Sequence, residues 1–142
     1  MNKNLFSIAV ALTVISSLGT GCKKYEDGPF FSLRPREERI ANTWRVESAM
    51  NGGNDVTSSF DQYELQMLRD KSATLAALYQ LGDLSFEFQT NGTWDLVSND
   101  EDLQLDFENN AADETYEILR LKETELWLKE KGGDLELHLV PR

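Results

Sequence analysis

Apolar and polar residues alternate with a period of two along most of the chain. Trp44, Val46, Ser48 and Met50 alternate with Arg45, Glu47 and Ala49, and Asn51-Gly52-Gly53 ends the run with turn chemistry. Residues 63–69 repeat the pattern, with Tyr63, Leu65 and Met67 on one face. In residues 73–79, Ala73, Leu75, Ala76, Ala77 and Leu78 favour helix by propensity. The run is short and lies between strand-like neighbours, so it is assigned to a strand. Leu84, Phe86 and Phe88 then alternate with polar partners. Thr90-Asn91-Gly92 reads as a hairpin turn, with Trp94 and Leu96 on the return strand. Further runs carry Leu103, Leu105 and Phe107, then residues 116–121, then 125–129, then Leu135, Leu137 and Leu139. Pro35 followed by Arg36-Glu37-Glu38-Arg39-Ile40 predicts a short helix, either a plug for one end of the fold or a lead-in.

The pattern predicts an all-β domain of eight to nine strands joined by short connections. Such connections favour antiparallel neighbours, because a parallel pair needs a crossover of roughly a dozen residues or more. Closing the meander into an up-and-down barrel hides both its apolar face and its edges. A two-sheet sandwich is the alternative, and the scarcity of long crossovers weighs against it. A barrel of about eight strands is either filled by side chains or holds one small ligand.

The amino terminus follows another logic. Lys3 precedes a fourteen-residue apolar run, 5–18, and then Gly19-Thr20-Gly21-Cys22. That is the pattern of a secretory signal, too short to span a membrane as a helix. Residues 1–21 are read as a signal peptide, 22–35 as a tether and 36–142 as the barrel domain. Cys22 is the only cysteine, so no disulfide forms within the chain. Without residues 1–21, thirteen basic residues face twenty-five acidic ones, a formal −12. This balance argues against nucleic acid or an anionic lipid surface as partner, since Lys and Arg carry those interactions.

Small residues before a lone cysteine resemble the lipobox of bacterial lipoproteins. That resemblance implies diacylglyceryl transfer to the Cys22 thiol, cleavage before it and acylation of the new amino group. The stretch Cys22-Lys23-Lys24-Tyr25-Glu26-Asp27-Gly28-Pro29, then Ser32-Leu33-Arg34 and Thr43-Trp44-Arg45-Val46, resembles the start of the lipocalin-like lipoproteins of Gram-negative envelopes. Asn91-Gly92-Thr93-Trp94, Leu119-Arg120-Leu121, Glu125-Leu126-Trp127-Leu128 and Leu137-His138-Leu139 resemble later strands of that family. The resemblance implies a calycin-type barrel on a lipid anchor. Lys23, where an inner-membrane lipoprotein carries Asp, implies the outer membrane, at its periplasmic face or the cell surface.

Little in the sequence points to catalysis. His138 is the only histidine, which removes the common Ser-His-Asp, Cys-His and histidine-rich metal sites. It is read as an exposed strand residue. No carboxylate pair is singled out, and no enzymatic activity, cofactor or metal is expected. The acidic stretches 99–102 and 109–114 lack the spacing of an EF-hand loop and are read as solvated. Trp127, flanked by inward Leu126 and Leu128, is read as a surface aromatic.

Two functions fit. One is a binding module for a small apolar or amphipathic ligand, in a pocket near one end of the barrel lined by Trp44, Ser48, Tyr63, Tyr79, Phe86, Phe88 and Trp94. The other is an interaction or scaffold subunit of an envelope complex, with a filled core and a working outer face.

Overall fold

A computed structural model describes residues 34–142 apart from Gly82, and omits the side chains of Tyr79, Gln80 and Leu81. The predicted signal peptide, Cys22 and the tether up to Leu33 lie outside the described residues.

The short helix α1 (Arg36–Ile40) leads into the strands. Pro35 precedes it, Glu37 and Glu38 occupy its first turn, and Arg39 its last, which suits the helix dipole. It is pinned at one end of the sheet. Trp44 Nε1 donates to Ile40 O at 2.8 Å, and the buried Arg39 donates to Leu121 O at 2.7 Å. The helix is thus tied to the strands that carry Trp44 and Leu121.

The strands are β1 (Thr43–Asn51), β2 (Asn54–Asp55), β3 (Glu64–Met67), β4 (Ser72–Leu81), β5 (Leu84–Val97), β6 (Asp102–Phe107), β7 (Glu114–Leu121), β8 (Leu126–Glu130) and β9 (Leu135–Pro141). Each pairs antiparallel with its neighbour in chain order, except that β2 is a side branch on β1 and β3 pairs directly with β1. Pairing of β1 with β9 closes the sheet. The result is a closed eight-stranded antiparallel barrel with one extra two-residue strand. Gly52 and Gly53, with φ of +57° and +84°, make the tight turn into β2 that only glycine enters without strain.

Eighteen apolar side chains are buried among the described residues, and they fill the barrel axis. Trp44, Trp94, Leu65, Met67, Leu103, Leu121, Leu126, Leu128, Leu137 and Leu139 are all less than 2% exposed. Each buried aliphatic side chain contributes about 1.5–3 kcal/mol.

Two details depart from the simple alternation. In β1 the register against β9 shifts between Val46 and Ser48. The extra residue, Glu47, reverses the parity beyond it, as a β-bulge does. Ala49, expected outside, is fully buried opposite Leu137. The turn expected at Thr90-Asn91-Gly92 is absent, and β5 runs unbroken for fourteen residues. Here Gly92 serves close packing: a Cβ would sit 2.0 Å from Asp106 O and 2.7 Å from Phe107 Cα. The strand predicted at 63–69 is shorter, because a 3-10 turn (Thr57–Phe60) precedes it and the chain reverses after Met67.

Candidate functional site at the open end of the barrel

Strand lengths are unequal, and that inequality makes the site. β4 reaches Leu81, but β3 accompanies it only as far as the Glu64↔Ala76 pair. β5 begins at Leu84, but β6 joins it only at the Gly92↔Phe107 pair. A two-stranded ribbon, residues 77–91, therefore projects beyond the barrel at the end opposite α1. Its register places Ala77 across from Phe88, Tyr79 across from Phe86 and Leu81 across from Leu84. Ala77, Leu84, Phe86 and Phe88 keep the parity of the barrel's inward face in a region beyond its closed part. Phe86 is 53% exposed and Leu84 61%. With Leu68 they are the exposed large apolar residues among those described.

A cleft of about 570 Å³ lies at the shoulder where β3 stops. Tyr63, Ala77, Leu78 and Phe88 supply apolar walls, and Arg45, Arg142 and Glu64 a charged rim. Arg142 is ion-paired with Glu64, while Arg45 has no carboxylate partner among the described residues. Tyr63 is held edge-on against Phe60, ring centroids 5.7 Å apart.

The residues expected to line a pocket fall into three groups. Trp44 and Trp94 are core: Trp44 is fully buried, and Trp94 is buried with its Nε1 donating to Leu68 O at 2.8 Å. The Lys71 ammonium sits 4.2 Å from the centroid of the Trp94 ring. Burial pulls the Lys71 ammonium down, but Asp95 and Glu37 outweigh it and hold its pKa above the ordinary value. Ser48 is displaced. The bulge turns it outward beside His138, so it does not face the interior. Tyr63 and Phe88 do meet at the shoulder cleft, with Phe86 and the backbone of Tyr79 above them. Arg45, Arg142 and Leu84 were not legible as site residues, because only the mismatch in strand lengths brings them there.

A groove of about 610 Å³ runs over the outer face of β6 and β7, lined by Asp102, Gln104, Asp106, Asp113, Glu114 and Lys131. Asp102 is buried there and paired with Lys131. Burial pushes its carboxyl up, yet hydrogen bonds from Lys131 and Ser98 hold it below the ordinary aspartate value. No group of three or more His, Cys, Asp or Glu side chains among the described residues is placed to hold a metal. On the outside of β7, β8 and β9 stands a row of planar groups. The Arg120 guanidinium lies 3.7 Å from the Trp127 centroid, and His138 stacks on that indole at 4.0 Å and 4°. Trp127 and His138 are thus on the outer face, as their strand positions suggested, and are only partly exposed.

Solved structures share this architecture. A lipocalin-like protein from Bacteroides uniformis ATCC 8492 superposes with a TM-score of 0.58 at 11% identity, over 73% of this chain and 99% of that one. The fold is a lipocalin-like barrel. A DUF4847 family protein from Bacteroides vulgatus ATCC 8482 matches with a TM-score of 0.50 at 13% identity, over 75% of this chain and 96% of that one. No protein-family model matches the chain, and no curated protein matches it in sequence. A lipocalin-like barrel is a setting in which a ligand cavity can form. In this one eighteen apolar side chains are buried together inside the barrel, and the shoulder cleft opens where β3 stops.

Proposed function

We propose that this chain is a non-enzymatic interaction subunit of a cell envelope, a lipid-anchored lipocalin-like barrel that works through the β4–β5 ribbon. The observation that carries this reading is the contrast between two parts of one apolar face. Within the barrel the face is buried to a few per cent, and on the ribbon Leu84 and Phe86 are more than half exposed. Apolar surface left in water at one place on an otherwise acidic protein is the mark of a surface meant to be covered. The anchor is a diacylglyceryl-modified Cys22, the membrane is the outer membrane, and no cofactor takes part. The described chain begins at Arg34, just before α1, and the ribbon lies at the other end of the barrel.

A second reading is favoured by one observation. The shoulder cleft brings Tyr63 and Phe88 together with Arg45 at its rim, and its 570 Å³ is within the usual range of small-molecule sites. An amphipathic molecule with an apolar body suits it. Titration of the mature protein with fluorescent fatty-acid and retinoid-like probes separates the two. The interaction reading expects no saturable binding. Saturable binding at one site per chain, weakened by Tyr63→Ala or Phe88→Ala, would establish the ligand reading in its place.

A further inference from the structure

Consecutive strands of the barrel run antiparallel, so the connections between them alternate between its two ends. The α1 end holds residues 34–42, 68–71, 98–101 and 122–125, and also Arg142. There seven basic side chains meet seven acidic ones. Glu37 pairs with Lys71, Glu38 with Arg34 and Arg69, and Asp100 with Arg36. The open end holds residues 52–63, Asp83, 108–113 and 131–134. These carry Asp55, Asp61, Asp83, Glu108, Asp113 and Asp134 against one cation, Lys131. That cation is already taken by Asp102. None of the six carboxylates has a cationic partner among the described residues. The barrel is therefore electrically polar along its axis, balanced at one end and acidic at the other.

Leu84 and Phe86 are exposed at the acidic end. Asp83 adjoins Leu84 in the chain, and Asp61 lines the shoulder cleft with Phe88. Charge complementarity decides which occupant suits such a surface. The six carboxylates repel an anionic lipid surface, and they repel a second copy, which carries the same six. A polypeptide that sets Lys or Arg around apolar side chains answers both features at once. Its apolar groups cover Leu84 and Phe86, and its cations offset the carboxylates around them. The balanced α1 end exerts no comparable pull, so approach is steered to one end of the barrel.

We propose that the open end docks a cationic amphipathic segment of a partner protein, with Leu84 and Phe86 as apolar anchors inside a carboxylate rim. This rests on the reading that the ribbon is the working surface, and it names the chemistry of what covers it. Burial of the anchors governs how long the complex lasts. The carboxylates govern how fast it forms and how strongly salt weakens it. Asp55 and Asp113 also accept backbone N–H groups, of Thr57 and Phe107, so they hold local structure as well. Asp61 and Asp83 are the members of the rim to alter.

Fluorescence anisotropy with a labelled Leu-Lys peptide, patterned as an amphipathic helix, tests this on the mature chain carrying Cys22→Ser, which needs no detergent. One saturable site per chain is expected, weakening as salt rises, with far weaker binding of the matching Leu-Glu and Ser-Lys peptides. Leu84→Gln with Phe86→Gln is expected to weaken binding about tenfold or more and to leave its salt dependence unchanged. Asp61→Asn with Asp83→Asn should weaken binding and flatten the salt dependence. Glu101→Gln with Glu123→Gln removes the same charge at the α1 end and should leave binding unchanged. Absence of saturable Leu-Lys binding overturns the proposal. So does equal binding of the Ser-Lys peptide, or an equal loss from the α1-end pair. A photo-cross-linker at Phe86 separates this failure from that of the interaction reading. A lipid adduct, or one of twice the chain mass, puts a membrane or a second copy there and overturns the cationic partner. A protein adduct without peptide binding overturns it too and leaves the interaction reading standing, whereas no protein adduct removes both.

Discussion

Asp102 shows how much one buried carboxylate is asked to do. It lies under Lys131 and the Ser98 turn with its pKa held below the ordinary value. A group whose folded pKa is depressed contributes stability above its unfolded pKa and loses it as pH falls through the folded one. Asp102→Asn is therefore expected to cost about 1 kcal/mol at neutral pH. The gap between variant and wild type should narrow as pH falls out of the ordinary aspartate range and close only below the depressed folded pKa, where the wild-type carboxyl is itself protonated. Urea titrations at a series of pH values check this, and a gap that persists at low pH would mean the pair contributes through packing alone. Trp94 is a second residue with a fixed role. Its ring is buried, its N–H is taken by Leu68 O, and Lys71 lies over it. Trp94→Ala should cost about 3–5 kcal/mol in chemical denaturation. A loss well under 1 kcal/mol would indicate slack at that position and reopen it as a pocket residue.

At the scale of elements, the two irregular strands make the sharpest claims. Ser48→Lys places a charge beside His138 on the outer face and is expected to change stability by no more than about 0.5 kcal/mol. Ala49→Lys puts the same charge into the core and should prevent folding. Without the bulge, the two substitutions would exchange outcomes. Gly92→Ala forces a methyl group against the β6 backbone and should destabilise by more than about 2 kcal/mol, read from the thermal midpoint. Most of the barrel was legible in the sequence because period-two alternation is dense and the connections are short. Leu103, Leu105 and Phe107, or Leu137 and Leu139, could face only one way. The bulge was not legible, because Trp44, Val46, Ser48 and Met50 form an unbroken alternating row, and only pairing with β9 reveals the extra residue. The continuous β5 was missed for a related reason: Asn91-Gly92 is hairpin chemistry, and its glycine was needed for contact with β6. The face of β5 nevertheless held, since Phe86, Phe88, Trp94 and Leu96 keep one parity whether or not the strand turns. The site was legible only in part. Tyr63 and Phe88 do share a cleft, but its position follows from where β3 ends, and no local pattern encodes that.

For the whole molecule, anchoring and side are separable from the fold. Mass spectrometry of the mature amino terminus should show a diacylglyceryl-modified, acylated Cys22, and an unmodified Cys22 or another cleavage point would remove the anchor. Protease treatment of intact cells then assigns the face of the outer membrane, with digestion expected for a surface-exposed barrel and protection for a periplasmic one. Function at this scale comes down to what covers the exposed Leu84 and Phe86. The measurement that addresses this directly is photo-cross-linking in living cells, with a benzophenone amino acid placed singly at Phe86, at Ser48 and at Tyr63. Strong protein adducts are expected at Phe86, with little at Ser48 on the outside of β1. No protein adduct at Phe86, together with a small-molecule or lipid adduct at Tyr63, would contradict the interaction reading and place a ligand in the shoulder cleft.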